Sequence, residues 1–403
     1  MSVHRPTGQP LRCAAPELLA EALRQSRADT LALAALYEQG PEVPRHPGLN
    51  PPRWELGHIG WFQEFWIARN PQRHLGLQAA PQAPRLPALR GNADVLYDSS
   101  LVPHASRWSL PLPDAAATRD DLSLQLEGTL ALLSQTGPAD DALYFYRLAL
   151  FHEDMHHEAG LYMAQALGMA VTDPRWQPAP LSQPRQPLCR EASIHRLGRP
   201  GPGFAFDNEL AAHDQPLAAF EIDSRVVSWA EFLPFVEAGG YGQPRWWSGP
   251  GQRWLNEQAV AAPRYLRRAD KGWEHQLWGR WQSLDPDLPA CHLNAYEAQA
   301  WCAWAGRRLP TEAEWERAAL ATLGSGETFA WGAVWEWTAS AFAPFPGFCA
   351  HPYRDYSAPW FDGRPVLRGA SFGTQPSMHH PHYRNFFTAE RNDIFAGFRS
   401  CAR

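Results

Sequence analysis

The sequence predicts an α+β protein of two domains, a four-helix bundle followed by a loop-rich domain of short strands. Three observations lead to this class. At 403 residues the chain is longer than one compact core usually organises. The part up to Leu167 holds four long runs with the apolar spacing of helices. Beyond Asp173 the texture changes to proline, glycine and tryptophan with short strand-like pieces. The 19 Trp and 38 Pro are high counts, and they predict irregular backbone pinned by large aromatic side chains.

The first helical run, Pro16 to about Gln39, is rich in Ala, Leu, Glu and Arg, with apolar positions at Leu18, Leu19, Leu23, Leu31 and Leu33. Pro51 and Pro52 suit the start of a second helix, the strongly apolar run Trp54 to Trp66, which contains the single histidine His58. A third helix is expected from Ala115 to Leu133 with Asp114 as its cap. A fourth runs from about Asp141 to Leu167, with Leu143, Leu148, Phe151, Met155 and Tyr162 as apolar positions. Four such helices fit a bundle, a fold that builds metal sites between facing helices. The expected boundaries are residues 1–175 for the bundle, 176–202 for a Pro-rich crossing and 203–403 for the second domain. Prolines at 174, 178, 180, 184, 187, 200 and 202 exclude regular helix from the crossing. Within the second domain, helices are expected from Ser228 to about Ala238 and from about Asn294, the latter carrying Tyr296, Ala300, Trp301 and Trp304.

Composition narrows the function. A formal charge of −6 and no basic run argue against a nucleic-acid partner. No run approaches the length of a membrane span, and the N-terminal MSVHRPTGQPLRC lacks the apolar core of a signal peptide. The six cysteines form no C-x-x-C pair, so a zinc ribbon and a thioredoxin motif are both excluded. A cytoplasmic protein with free thiols is the simplest expectation.

The segment Phe151-His152-Glu153-Asp154-Met155-His156-His157-Glu158 concentrates the chemistry. Histidines four apart lie on one helix face, one turn from each other, and can supply two nitrogens to one ion. Two histidines alone fit a solvated polar face equally well. His58 on another helix completes a three-nitrogen site with open positions. His157 is turned by about 100° from His156 and is expected to point elsewhere. Glu158 either orients a ligand or faces solvent.

The His-x-x-x-His-x-Glu pattern, with the Trp54-x-x-x-His58 helix before it, resembles the DinB-like domain of ergothioneine-type sulfoxide synthases. The second half resembles the C-type-lectin-like domain of formylglycine-generating enzymes. The residues carrying that likeness are Arg308 to Glu316, Val334 to Thr338, Leu367 to Phe372, Arg384 to Phe387 and Phe395 to Arg399. Together the two likenesses cover nearly the whole chain in the family's order. The resemblance implies a mononuclear non-haem Fe(II) enzyme that uses O2 to join a chalcogen to imidazole C2 of hercynine, trimethylated histidine. It implies His58, His152 and His156 as iron ligands and a tyrosine as proton or electron donor, placed at Tyr353 with Tyr356 as the fallback. It places substrate binding at Asn385, Phe386, Phe387, Arg107, His104 and Arg391. In that set Asn385 bonds the amino-acid carboxylate, and an aromatic face holds the trimethylammonium by cation–π attraction.

Two departures bear on the chalcogen donor. Family members that take γ-glutamylcysteine carry two arginines three apart and an acid after the late Asn. Here Leu96-Tyr97-Asp98 is followed by His104-Ala105-Ser106-Arg107, and Phe387 stands at the acid's position. A less charged donor then fits better, and the segments around Leu96, His152 and Tyr353 look most like the selenoneine synthase branch, which uses the selenosugar 1-seleno-β-D-glucose. The alternatives are a sulfoxide synthase using another thiol and a non-catalytic module holding a closed four-ligand zinc site. A formylglycine-generating oxidase is not expected, because Cys291, Cys302, Cys349 and Cys401 do not match its paired-cysteine motif.

Overall fold

The computed structural model describes residues 8–323 and 326–403, so the first part of the N-terminal stretch considered as a possible signal lies outside the described residues. A short helix α1 (Gly8–Arg12) precedes the bundle of α2 (Pro16–Gln39), α3 (Pro52–Gln63), α5 (Ala115–Leu133) and α6 (Asp140–Ala166). The short α4 (Ala93–Tyr97) packs against α3. Local chemistry sets the helix starts. Pro16 and Pro52 occupy first-turn positions where no N–H is needed, and the Asp114 side chain accepts from Ala117 N–H. The run expected to stay helical to Trp66 instead widens after Gln63 into a π turn, Glu64–Ala68. There the Arg69 N–H reaches the Glu64 carbonyl at 2.9 Å, and Trp66 stacks on Phe145 at 5.3 Å.

The second domain contains α7 (Trp229–Glu237), α8 (Gly249–Gln258), α9 (Ala295–Trp304) and α10 (Glu312–Ala321). Capping boxes at Ser228, Asn294 and Thr311 start three of these helices. One four-stranded sheet has the order β1 (Pro187–Arg190), β4 (Phe220–Asp223), β13 (Cys401–Ala402), β8 (Arg307–Arg308). The other runs β11 (Asn385–Phe386), β10 (Pro365–Gly369), β9 (Trp335–Ala341), β12 (Ala396–Gly397). β2 (Ser193–Leu197) pairs with β3 (His213–Leu217), and β5 (Leu266–Ala269), β6 (Gly272–Leu277) and β7 (Arg280–Ser283) form a small meander.

β1 and β2 fall inside the stretch that the prolines marked as a crossing, 176–202, so ordered sheet begins before residue 203. Proline excludes helix there but tolerates an edge strand, and Pro187 is the first residue of the edge strand β1. None of the six cysteines is paired, and no described helix is long and apolar enough to cross a membrane.

Several arginines and acids of the second-domain motifs are buried and paired with one another. Glu316 accepts from Arg368, from His195 at 3.2 Å and from the Gly198 N–H at 3.0 Å, with His382 Nδ1 at 3.1 Å. Glu336 pairs with Arg399 and accepts from the Trp315 indole at 2.8 Å, and Arg384 forks onto Glu312. Burial works to raise the Glu316 carboxyl, but Arg368, His195 and His382 hold it far below the usual range. A depressed carboxyl contributes stability above its unfolded value and loses that contribution as pH falls. Glu316→Gln should therefore cost about 3–5 kcal/mol in urea unfolding at pH 7 by leaving Arg368 unpaired. The gap to the unaltered protein should narrow as pH falls below about 4.

Candidate active site

Three histidines from two helices converge inside the bundle. His58 lies on α3, and His152 and His156 lie one turn apart on α6. Their ring centroids are 5.0, 4.9 and 4.5 Å apart, and one nitrogen of each lies within 4.8 Å of the others. Among the described residues, no other group of three or more His, Cys, Asp or Glu side chains is arranged this way.

Each ring is held by its surroundings. His58 stacks on Trp54 at 4.8 Å, four residues earlier on the same helix, and His152 stacks on Phe62 at 3.6 Å. His58 Nδ1 lies 2.8 Å from the Tyr97 carbonyl, and His156 Nδ1 lies 2.5 Å from Glu55 Oε2. A carbonyl only accepts, so His58 Nδ1 carries the proton and its Nε2 keeps a lone pair. Gly57 makes the first contact possible, since a Cβ there would lie 2.1 Å from the Tyr97 ring. Burial, aided by His156, pulls His58 down to about 3. Burial and the two other histidines push His152 well below its ordinary value. Burial acts to raise Glu55, yet His156, His58 and Arg107 together hold it below the usual range. Neutral imidazoles with protonated Nδ1 atoms on acceptors are the form that binds a divalent transition metal. His58 meets that description, and the three imidazoles together, with no fourth protein ligand in the group, fit an ion that keeps positions open for reactants.

His152 and His156 also border a cavity of about 680 Å³ between the bundle and the second domain. Tyr353 lines it, its ring 4.9 Å from Phe62 and 6.3 Å from His152. Burial drives the Tyr353 phenol above its ordinary value, so it stays protonated at neutral pH. Tyr356 lines the same cavity but stacks on Phe206 at 4.2 Å and donates to the Tyr383 hydroxyl at 3.1 Å. Asn385, Phe386 and Phe387 line it as well. The Asn385 Oδ1 accepts from the Phe386 N–H, and Phe386 also stacks on Phe342 at 4.1 Å. Arg107 reaches the wall, with its guanidinium 3.7 Å from the Trp54 ring and bonded to Asn50.

Two expected site residues stand off the cavity. His104 bonds the Leu49 carbonyl at 2.9 Å and packs edge-on against Trp108, so its ring belongs to the bundle. Arg391 is paired with Asp393 and lies over Phe387 and Tyr162, touching the pocket only through those rings. His157 is buried against Trp176, away from the triad, as its helical angle required.

Sequence reasoning missed Glu55 and the partners of Glu158. Glu55 is three residues before His58, hence on the same face of α3, which is a signal the sequence carried. Glu158 neither faces bulk solvent nor bonds any of the three histidines. Its carboxylate lines the cavity and accepts from Ser371 at 2.6 Å, Thr374 at 2.8 Å and the Trp335 indole at 2.8 Å. Those partners lie more than 170 residues away, so no local pattern could reveal them.

Two family profiles match the chain. The DinB superfamily covers residues 22–159, and the sulfatase-modifying factor enzyme 1-like domain covers 184–333 and 330–403. The chain is 31% identical over 434 residues to the hercynine oxygenase of Mycolicibacterium thermoresistibile, which spans 94% of both chains. It is 31% identical to that of Mycolicibacterium smegmatis, over 96% of this chain and 98% of that protein. Its second half is also 33% identical over 163 residues to the formylglycine-generating enzyme of Bos taurus, covering 38% of this chain and 43% of that enzyme.

Anaerobic titration with Fe(II) or Co(II) tests the triad. His152→Ala should abolish stoichiometric binding, while Glu55→Gln should weaken it about 10- to 100-fold by releasing the His156 ring. Tyr353→Phe should leave affinity unchanged.

Proposed function

The chain belongs to the hercynine oxygenase family, within the ergothioneine-type sulfoxide synthase superfamily, and we propose that it joins the selenium of 1-seleno-β-D-glucose to imidazole C2 of hercynine at the expense of O2. The atoms balance. The C2–H and Se–H bonds break, a C–Se bond forms, one oxygen atom ends on selenium as a selenoxide, and the other leaves as water with both hydrogens. Two substrates give up four electrons in all, which is what O2 requires.

The observation that carries this reading is the pairing of an open three-imidazole site with a pocket short of the cations that a peptide's carboxylates need. His58, His152 and His156 suit ferrous iron, which when bound supplies the redox chemistry of O2 activation. The rest falls to the protein. The Glu158 carboxylate, fixed by three donors, and the rings of Phe387 and Tyr162 offer a trimethylammonium an anion and aromatic faces in one corner. Asn385 lines the same cavity as a partner for the amino-acid carboxylate. Tyr353, protonated and beside the His152 ring, is placed to deliver a proton at its hydroxyl to the reacting centre. Tyr356, whose hydroxyl is engaged with Tyr383, is the less suitable donor.

Where a peptide thiol would need two cations and an acid just after the late Asn, Arg107 is the only cation among the described residues lining the pocket and is already engaged with Asn50 and Trp54, while His104 is turned away and Phe387 stands at the acid's position. Arg107 is the one feature that favours the second reading, a sulfoxide synthase with a thiol donor. The three-ligand set disfavours a closed structural zinc site.

A competition assay decides the donor. Protein, Fe(II), O2 and hercynine are supplied with selenoglucose, thioglucose, cysteine and γ-glutamylcysteine together, and products are identified by mass. The selenoglucose adduct should dominate, whereas preference for γ-glutamylcysteine would overturn the selenium assignment. Tyr353→Phe should lower kcat by about 100-fold or more, or divert the oxidation, with metal content unchanged.

A further inference from the structure

We propose that the mouth of the pocket is a hexose seat, in which the Trp360 indole receives one face of the donor's pyranose ring and Ser99, Ser100 and Asp355 take its hydroxyls. The inference rests on the hexosyl-donor reading above and assigns that donor a place.

Trp360 is 41% exposed, which is unusual for so large an apolar ring, and it borders the substrate cavity. It is nevertheless held. Its Nε1–H donates to the Asp355 carbonyl at 3.0 Å, and the Arg364 guanidinium lies 4.9 Å from its ring centroid. Arg364 is itself anchored by two bonds to Asp362. The indole is therefore a fixed, partly exposed apolar plate that a ligand can meet at little ordering cost. A β-gluco ring, with its substituents equatorial, presents a flat C–H face that matches such a plate.

The polar half of the seat comes from both domains. Ser99 and Ser100 follow α4 in the bundle, and Asp355 belongs to the loop that also carries Tyr353. The Ser100 hydroxyl donates to Asp355 Oδ2 at 2.5 Å across the mouth, and both residues are exposed. A sugar hydroxyl both donates and accepts, so a ring seated here can replace that bond with one to each partner. Beyond it lies a second cavity of about 220 Å³, which shares Ser99, Ser100, Tyr353 and Asp355 with the first and adds Gln82 and Asp98. The seat thus has room and further hydroxyl partners on its far side. Tyr353 at the shared wall puts the ring next to the residue proposed to serve the reaction.

Trp360→Ala and Asp355→Ala should each raise KM for selenoglucose and thioglucose about tenfold. KM for hercynine, metal affinity, the unfolding midpoint and KM for a small non-sugar selenol such as 2-hydroxyethaneselenol should stay as they are. An unchanged KM for the hexosyl donors in Trp360→Ala would overturn the seat. Methyl β-D-glucopyranoside, probed by saturation-transfer NMR, separates this result from failure of the donor assignment. If the iron-loaded protein turns over no hexosyl donor but binds the glucoside, and Trp360→Ala abolishes that binding, the seat stands and the donor assignment falls. No glucoside binding to the unaltered protein overturns the seat.

Discussion

Helix α6 is buried between the two domains and carries buried polar groups on several faces, each of which has to be satisfied; Glu153, for one, pairs with Arg27 of α2. Toward α3 it presents His152 and His156, which meet His58. Toward the second domain it presents Asp154 and Glu158, four residues apart. Ser377 and Ser26 bond the Asp154 carboxylate, and Ser371, Thr374 and Trp335 bond Glu158. A buried carboxylate without such partners costs several kcal/mol, so the bundle by itself would be a poor host for this helix. The second domain completes the site chiefly by making α6 tolerable, and in doing so it closes the cavity over the histidines.

The loops that reach the cavity from the second domain have little regular structure of their own, and buried charge pairs hold them. Arg384, immediately before Asn385, forks onto Glu312 and also donates to the Asn208 carbonyl at 2.8 Å. Arg368 ties β10 to Glu316 on α10, and Arg399 ties the C-terminal segment to Glu336 on β9. Removing one member of such a pair strands a buried charge, which makes the positions sensitive although the pairs themselves add little net stability. The motif arginines and acids of this domain therefore serve geometry, while Asn385 and its neighbouring aromatics are the groups that line the cavity.

Around the histidines the same economy is reached with aromatic rings. Trp54 and Phe62 lie flat against His58 and His152, and Glu55 and the Tyr97 carbonyl fix two Nδ1 atoms. The imidazoles are oriented before any ion arrives, so little ordering cost remains to be met on binding. The same principle recurs at the mouth, where Trp360 is held by Asp355 and Arg364.

The sequence by itself determined the four bundle helices, the placing of His152 and His156 on one face of α6 and the two-domain order, because helical periodicity and proline placement are local properties. It also placed His58 with the pair, since a bundle brings a histidine on a neighbouring apolar helix within reach. Tertiary structure alone decided that Glu158 faces the cavity under three donors from the second domain and that Arg391 sits behind Phe387. It likewise decided that His104 turns into the bundle and that Tyr353, rather than Tyr356, lies beside His152. Those outcomes depend on which loop lies against which helix, and that is set by satisfying buried polar groups between segments far apart in the chain. Proline misled for the same reason. It excluded helix over residues 176–202, but whether the extended backbone there paired into a sheet depended on β4 and β3, which only the fold brings alongside.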